Sequence, residues 1–420
     1  MFKKSDEFKS ALSAIRERVA VAKKRGTHGG FIDYHGCMSV THDFVDILED
    51  AGKAADRGDY AFAYSVAALI LINLSKLAST ADDSGGGITD ARRYNSDVLE
   101  KICSGVAYGS EEAEYIFTRS ITDSQNSAFD GWKEFAYDLL LKTARLAVKT
   151  NADKMFAAAD ELYKQTKAGS YTDWAAEYDA LVRLEIIKTI SCDDDVSAFI
   201  NANLCYPAIR RVAVNNAISA GNYILAEKLC LENLNPAEVK SCYTRPSEWL
   251  YFLFEIYEKS GQTERTIQTA KELLFRFDTK YYGKLKRLLM DKGTWDAEYP
   301  SLLETLRRRL PYNLYMGILA KEAETERLLL EARAHPESVF TYGKQLSAEF
   351  PNETYSLCVD VIREQAAEAN SRIKYKKVCG LIKKLRKFGG VSEAVNIIAE
   401  LKRQYQRRPA LLDELNALDV

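Results

Sequence analysis

The sequence predicts an all-α fold, an irregular right-handed solenoid of helical hairpins. Three observations carry this. Apolar residues recur at the helical spacing of three and four along most of the chain, and no alternating apolar run suggests a strand. Only 8 prolines and 22 glycines occur in 420 residues, which leaves room for long helices. A glycine followed by a helix start also recurs. Gly221-Asn222-Tyr223 and Gly261-Gln262-Thr263 lie forty residues apart, Gly293-Thr294-Trp295 lies thirty-two further on, and Gly390-Val391-Ser392 repeats the device. A short hairpin cannot bury its own apolar face, so neighbouring hairpins must stack on it. The chain is read as an N-terminal helical segment (1–105), central hairpin repeats (106–323) and a C-terminal helical region with a basic face (324–420), together one continuous solenoid. About seventeen helices are expected, with helix above about 60% of residues.

The elements follow in order. Ser5–Lys24 carries Phe8, Leu12, Ile15, Val19 and Ala22 on one stripe, and Gly26 to Gly30 end it. Phe31-Ile32-Asp33-Tyr34 is a short apolar anchor in a loop. Ser39–Arg57 follows, with Phe44, Ile47, Leu48 and Ala51 inward. Tyr60–Leu77 is apolar on nearly every side, so it should be a central helix covered by neighbours. Its longest apolar run, Ala61–Ile72, is shorter than the ~20 residues a bilayer requires. Asp82-Asp83-Ser84-Gly85-Gly86-Gly87 is the clearest loop. It lacks the glutamate that a calcium loop places twelfth, where Arg93 stands, and reads as a solvated turn. Helices then cover about Asp90–Val106, a stretch starting at Ser110-Glu111-Glu112, Ala128–Lys149, Ala152–Lys167, Asp173–Ile190 and Val196–Ala202, the last preceded by acids that suit a helix N-terminus.

Pro207–Asp278 holds two consecutive hairpins. In the second, Trp249–Lys259 places Leu250, Leu253, Phe254 and Tyr257 on one face, and Thr263–Phe277 places Ile267, Ala270, Leu273, Leu274 and Phe277 on another. Leu250, Leu253, Phe254, Tyr257, Gly261 and Ala270 stand where a tetratricopeptide repeat has its matching residues, and the hairpin resembles one. Tyr281–Asp291 and Leu302–Leu310 form the next pair, Pro311 permits a corner, and Glu322–Ala334 is a charged helix closed by His335-Pro336. Val339, Tyr342 and Leu346 face inward on the next helix, and a further helix runs from Pro351 to about Asn370.

No nucleophile elbow, phosphate loop or dinucleotide fingerprint occurs, so no enzyme class is indicated. The 8 cysteines are scattered without paired spacing and read as buried thiols of a reducing cytoplasm. His28, His35, Cys37 and His42 lie within fifteen residues, but their spacing matches no common zinc site, so capping or polar roles are the better reading and no cofactor is expected. The net charge of −2 makes any nucleic-acid surface local. One such region exists. Residues 372–408 hold 12 Lys or Arg against 2 acids, a net +10, so the remainder carries −12. In the helix around Tyr375–Phe388, Tyr375, Val378, Cys379, Ile382 and Leu385 face inward. Lys376, Lys383 and Lys387 align outward with Lys377 and Lys384 beside them, and Arg407 and Arg408 follow. This face suits a partner or a phosphate backbone, against the plainer reading of a solvated helix back.

Glu349-Phe350-Pro351, Arg372-Ile373-Lys374-Tyr375, Leu385-Arg386-Lys387 and the run from Tyr405 to Leu415 form an ordered series. It resembles the helical region that follows the zinc finger in bacterial SWIM zinc-finger proteins. Gly30-Phe31-Ile32-Asp33-Tyr34, Gly58-Asp59-Tyr60-Ala61 and Asp82-Asp83-Ser84-Gly85 resemble the beginning of that region. The Cys-x-Cys and Cys-x-His pairs of the finger are absent, so zinc and finger-mediated DNA binding do not carry over. The resemblance implies partner binding without a defined reaction. The expected function is therefore a non-catalytic interaction module holding a protein partner on its concave side, with nucleic-acid association through the basic face as the alternative.

Overall fold

The computed structural model describes residues 5–27, 29–167, 173–232, 234 and 248–418. It is all-α, 81% helical, with twenty-two α-helices and no strand among the described residues. The chain divides into two compact units, 1–229 and 230–420. This division falls inside the segment 106–323, and the boundary expected at 105 lies within the first unit. There a single core runs from Leu12 to Ile186, so the helices on either side of residue 105 bury the same apolar surface.

The first unit contains α1 (Asp6–Gly26), α2 (Tyr34–Asp56), α3 (Tyr60–Ala78), α4 (Gly87–Gly105), α5 (Glu111–Ser124), α6 (Glu134–Thr143), α7 (Ala152–Lys167), α8 (Asp173–Ile190), α9 (Asp193–Ala202), α10 (Pro207–Ser219) and most of α11 (Tyr223–Leu231). Helix α3 is its centre and packs on α1, α2, α4, α5 and α6. It is long and apolar enough to cross a membrane, with a mean hydropathy of 1.7, and it outruns the apolar stretch read from the sequence. Most of it is buried inside the unit, with Tyr64, Ile70, Leu71, Leu74 and Leu77 fully so. Its polar groups are satisfied there. Tyr64 donates to Asp123, Ser75 to the Ala128 carbonyl, and Asn95 of α4 to the Ala67 carbonyl.

Two helices differ from expectation. Helix α2 starts five residues early, because the Asp33 side chain accepts from Gly36 N at 2.7 Å and caps it. Ile32 of the expected loop anchor is buried and pairs with Ala81. The expected helix 128–149 is broken into a 3₁₀ turn (Ser127–Phe129), α6 and a second 3₁₀ turn (Ala144–Leu146), with Gly131 and Trp132 in the interruption.

The second unit contains α12 (Glu248–Lys259), α13 (Thr263–Phe275), α14 (Lys280–Asp291), α15 (Trp295–Arg309), α16 (Tyr312–Lys321), α17 (Thr325–Ala334), α18 (Val339–Glu349), α19 (Pro351–Glu368), α20 (Arg372–Lys387), α21 (Val391–Gln404) and α22 (Pro409–Asn416). Each helix packs on the next in the chain, and from α18 onward also on the next but one. This chain-order stacking is the packing of a helical repeat. The residues assigned to the faces of α12 and α13 are buried, including Leu253 and Leu273, and Glu264 is outside, paired with Lys292. Phe277 is not on that face. Helix α13 stops at Phe275. Helix α15 starts at Trp295 rather than Leu302, and α17 at Thr325 rather than Glu322.

One turn accounts for most of these boundaries. At Gly58, Gly221, Gly261, Gly293, Ala323 and Gly389 the chain enters the left-handed region (φ 57° to 107°), and the next helix begins two residues later. In each, the amide after the left-handed residue bonds back to a carbonyl five residues earlier. Examples are Asn222 N to Ala217 O at 2.8 Å, Gln262 N to Tyr257 O at 2.9 Å and Glu324 N to Leu319 O at 3.0 Å. This is the Schellman closure, which satisfies carbonyls the helix end leaves orphaned. The last glycine of the sequence pattern is shifted by one: Gly389 is left-handed, and Gly390 occupies the N-cap of α21. Phe277 makes the same closure, through Asp278 N to Leu273 O at 3.2 Å.

A side chain in this conformation costs about 1–2 kcal/mol. Ala323→Gly should therefore stabilise the second unit by about 0.5–1 kcal/mol, whereas Gly261→Ala should destabilise it by about 1 kcal/mol. Urea titrations of the two variants beside the wild type read both signs.

Candidate functional site

The basic face lies on α20. Its period places Tyr375, Val378, Cys379, Ile382 and Leu385 in the core, all buried, as the sequence predicts. Lys376, Lys377, Lys383, Lys384 and Lys387 are all exposed. None of the five has an ion-pair partner among the described residues. The neighbouring acids are committed elsewhere. Glu400 pairs with Arg363 at 2.8 Å, and Glu414 pairs with Arg372 at 2.7 Å. Ser371 caps the helix, and its first turn holds no acid. Arg372 and Lys374 thus sit in the first turn, where negative charge is the sign the dipole favours, and Lys376 and Lys377 follow in the second. The basic residues of the last turn, Lys384, Arg386 and Lys387, sit where the dipole favours them.

The two arginines expected to extend this face part company. Arg407 is exposed. Arg408 is half-buried. Its guanidinium donates to the Ala366 and Ala369 carbonyls, both at 3.0 Å, and lies 4.3 Å from the centre of the Tyr405 ring. It closes the C-terminal end of α19 and is not part of the free stripe. Nothing in the local sequence separates it from Arg407.

The histidine cluster does not converge among the described residues. His28 lies outside them. His35 and His42 are exposed, whereas Cys37 is buried, its thiol 3.8 Å from Asp83. No group of three or more potential metal ligands occurs among the described residues. Cys242 also lies outside them. Burial pushes the Cys37 and Cys379 thiols up to about 11 and those of Cys103 and Cys358 up to about 12, which makes them poor nucleophiles at neutral pH.

A second feature escaped the sequence reading. The interruption before α6 opens a groove of about 620 Å³ in the first unit, between α4, α6, α7 and α8. Its aromatic walls are Trp132, Trp174 and Tyr178. Trp174 and Tyr178 stand nearly perpendicular, 5.7 Å apart, and both rest on the buried ring of Tyr137. The Trp132 indole N–H donates to Ser79 at 3.0 Å. Arg92 donates to both Asp138 oxygens, at 2.5 and 3.1 Å, and lies over the Phe135 ring. Burial raises the Asp138 carboxyl above its ordinary value against the pull of Arg92. Lys133 donates to Asp130 and Gln165, both at 2.9 Å. The Asp130-Gly131 dipeptide, a common turn signal, was the one local clue to this break.

No protein-family model matches the chain, and no curated protein matches it. Among solved structures it is similar to a circular tandem repeat protein with novel repeat topology and enhanced subunit contact surfaces. The identity is 13%, over 97% of this chain and 95% of that one, with a TM-score of 0.19.

The different roles of the two arginines are measurable. Arg408→Ala removes two hydrogen bonds to helix-end carbonyls and should destabilise by about 1–3 kcal/mol. Arg407→Ala should change stability by less than about 0.5 kcal/mol in the same urea titration.

Proposed function

We propose that this chain is a non-catalytic helical-repeat scaffold of the cytoplasm, and that the lysine face of α20 is its contact surface for an acidic segment of a protein partner. The observation that carries this is the set of five lysines on one exposed face with no ion-pair partner among the described residues. Like charges gathered on one face repel one another, and that repulsion is relieved when anions cover them. Ile373, exposed at 83%, lies on the same stripe and offers an apolar contact beside the charges. The resemblance of residues 349–415 to the helical region of SWIM zinc-finger proteins supports the same role, here without the finger.

The alternative is a nucleic-acid backbone. Lys376 to Lys387 span about 16 Å along the helix, enough to follow several phosphates. However, no aromatic side chain is interleaved on this face to stack a base.

One variant separates the readings. Lys376, Lys383 and Lys387 are exposed, so changing all three to Glu should leave thermal unfolding nearly unchanged. In co-purification from the native host, the wild type should retain a protein partner after nuclease treatment, and the triple variant should lose it. Mixed-sequence DNA or RNA should bind the wild type no tighter than about 10⁻⁴–10⁻⁶ M. Tight binding whose salt slope falls by about 2–3 in the triple variant would instead establish the nucleic-acid reading.

A further inference from the structure

The lysine face of α20 has a glycine at its centre. Gly380 is exposed and lies inside the helix, away from both ends. Lys376 and Lys377 stand four and three residues before it, and Lys383 and Lys384 three and four residues after it. Residues at these spacings are the surface neighbours of a helical position, with Cβ atoms about 5–6 Å apart. Gly380 is therefore a notch ringed by four exposed lysines, none with an ion-pair partner among the described residues.

Glycine is, after proline, the weakest helix former, so its place here calls for a reason. Other glycines around α20 have one. A Cβ at Gly343 would run into the Phe388 ring, a Cβ at Gly390 would run into Leu385, and Gly389 takes a φ of 107°. Gly380 has no such reason. Nothing among the described residues comes within 4 Å of the position its Cβ would take, so the packing of the chain leaves room for a side chain there.

What the glycine admits differs from what the lysines attract. Each ammonium stands at the end of a flexible four-carbon stem, so an anion meets it well away from the helix backbone, whatever residue occupies position 380. Only a group that lies against the helix itself gains from the missing side chain, as where glycine lets another backbone approach closely. Phosphates of a nucleic acid would be met at the stem ends and would make no use of the notch. A protein segment uses both features: its main chain fits the notch, and its acids reach the lysines on either side.

We propose that Gly380 is the point where the main chain of an acidic partner segment crosses α20, with Lys376 and Lys377 pairing with acids on one side of the crossing and Lys383 and Lys384 with acids on the other. The two lysine pairs are seven residues apart, about 10 Å along the helix, and the acids must match that span. This rests on the lysine-face reading and adds to it the point of contact and the form of the partner.

The test uses the full chain and two labelled probes, the capped peptide Glu-Glu-Ala-Gly-Ala-Glu-Glu and a mixed-sequence single-stranded DNA oligonucleotide, with binding read by fluorescence anisotropy at low ionic strength. The wild type should bind the peptide saturably. Gly380→Leu should weaken it about tenfold while raising the urea midpoint, because leucine is the better helix former and the site is open. Gly317 of α16 is equally open and exposed, so Gly317→Leu should also raise the midpoint but leave peptide binding unchanged. The variant with Lys376, Lys383 and Lys387 changed to Glu should lose the peptide. Equal affinity of Gly380→Leu and the wild type, with loss in the triple variant, would overturn the crossing at Gly380 and leave the lysine face standing. Equal affinity of all three would overturn the lysine face as well. Absence of saturable binding by the wild type would overturn the crossing, and the partner recovered by co-purification would still decide the lysine face. The oligonucleotide should be indifferent to Gly380→Leu; tight binding that this substitution abolishes would replace the protein segment by a nucleic-acid backbone.

Discussion

The structure depends on a residue that turns left. A helix can be followed at once by an antiparallel partner only if its last carbonyls find donors within the turn. The Schellman closure provides them from the next two amides, provided one residue accepts a positive φ. At six places among the described residues the chain repeats this solution with the following helix starting two residues later. With so short a connection, the apolar faces of the two helices meet, and the hairpin becomes the unit of packing. At two other corners proline stands at the helix start, Pro311 before α16 and Pro351 at the start of α19.

Much of this was legible because glycine announces the left-handed position. Gly58, Gly221, Gly261 and Gly293 could be read directly, and the single-residue slip between Gly389 and Gly390 arose because two adjacent glycines carry no local information about which one turns. Ala323 and Phe277 were illegible for the opposite reason. They adopt a conformation their side chains disfavour, imposed by the helices on either side. Helix α3 was legible as a central helix because it has no polar face, and its neighbours duly cover it. Of the candidate surfaces, the lysine stripe was readable because it lies on one helix with a clear period. The groove was not, because its walls come from Arg92, from Trp132 to Glu134 and from Trp174 and Tyr178. Only tertiary packing brings these together.

The charge distribution separates structural from surplus charge. Most arginines near α20 are spent on structure: Arg363 on Asp360 and Glu400, Arg372 on Glu414, Arg408 on backbone carbonyls. The lysines are not. Arginine offers a planar fork that matches carboxylates and carbonyls, whereas lysine is a strongly hydrated point charge on a flexible stem. The face therefore combines mobile, solvated cations with a rigid base. Such a surface attracts anions over a distance set by the ionic strength, about 8 Å at physiological salt.

The position of α3 has a further consequence for how the two units are made. Helices α1 and α2 precede it and cover part of its apolar surface, and the rest is covered only by α4, α5 and α6, which come after it in the chain. The core of the first unit is therefore complete only when helices from both sides of α3 have come together. The second unit is assembled differently. Each of its helices packs on the one or two made just before it, so order can grow along the chain as it is synthesised. One polypeptide thus joins a unit closed around a central helix to a unit whose contacts follow the order of the chain.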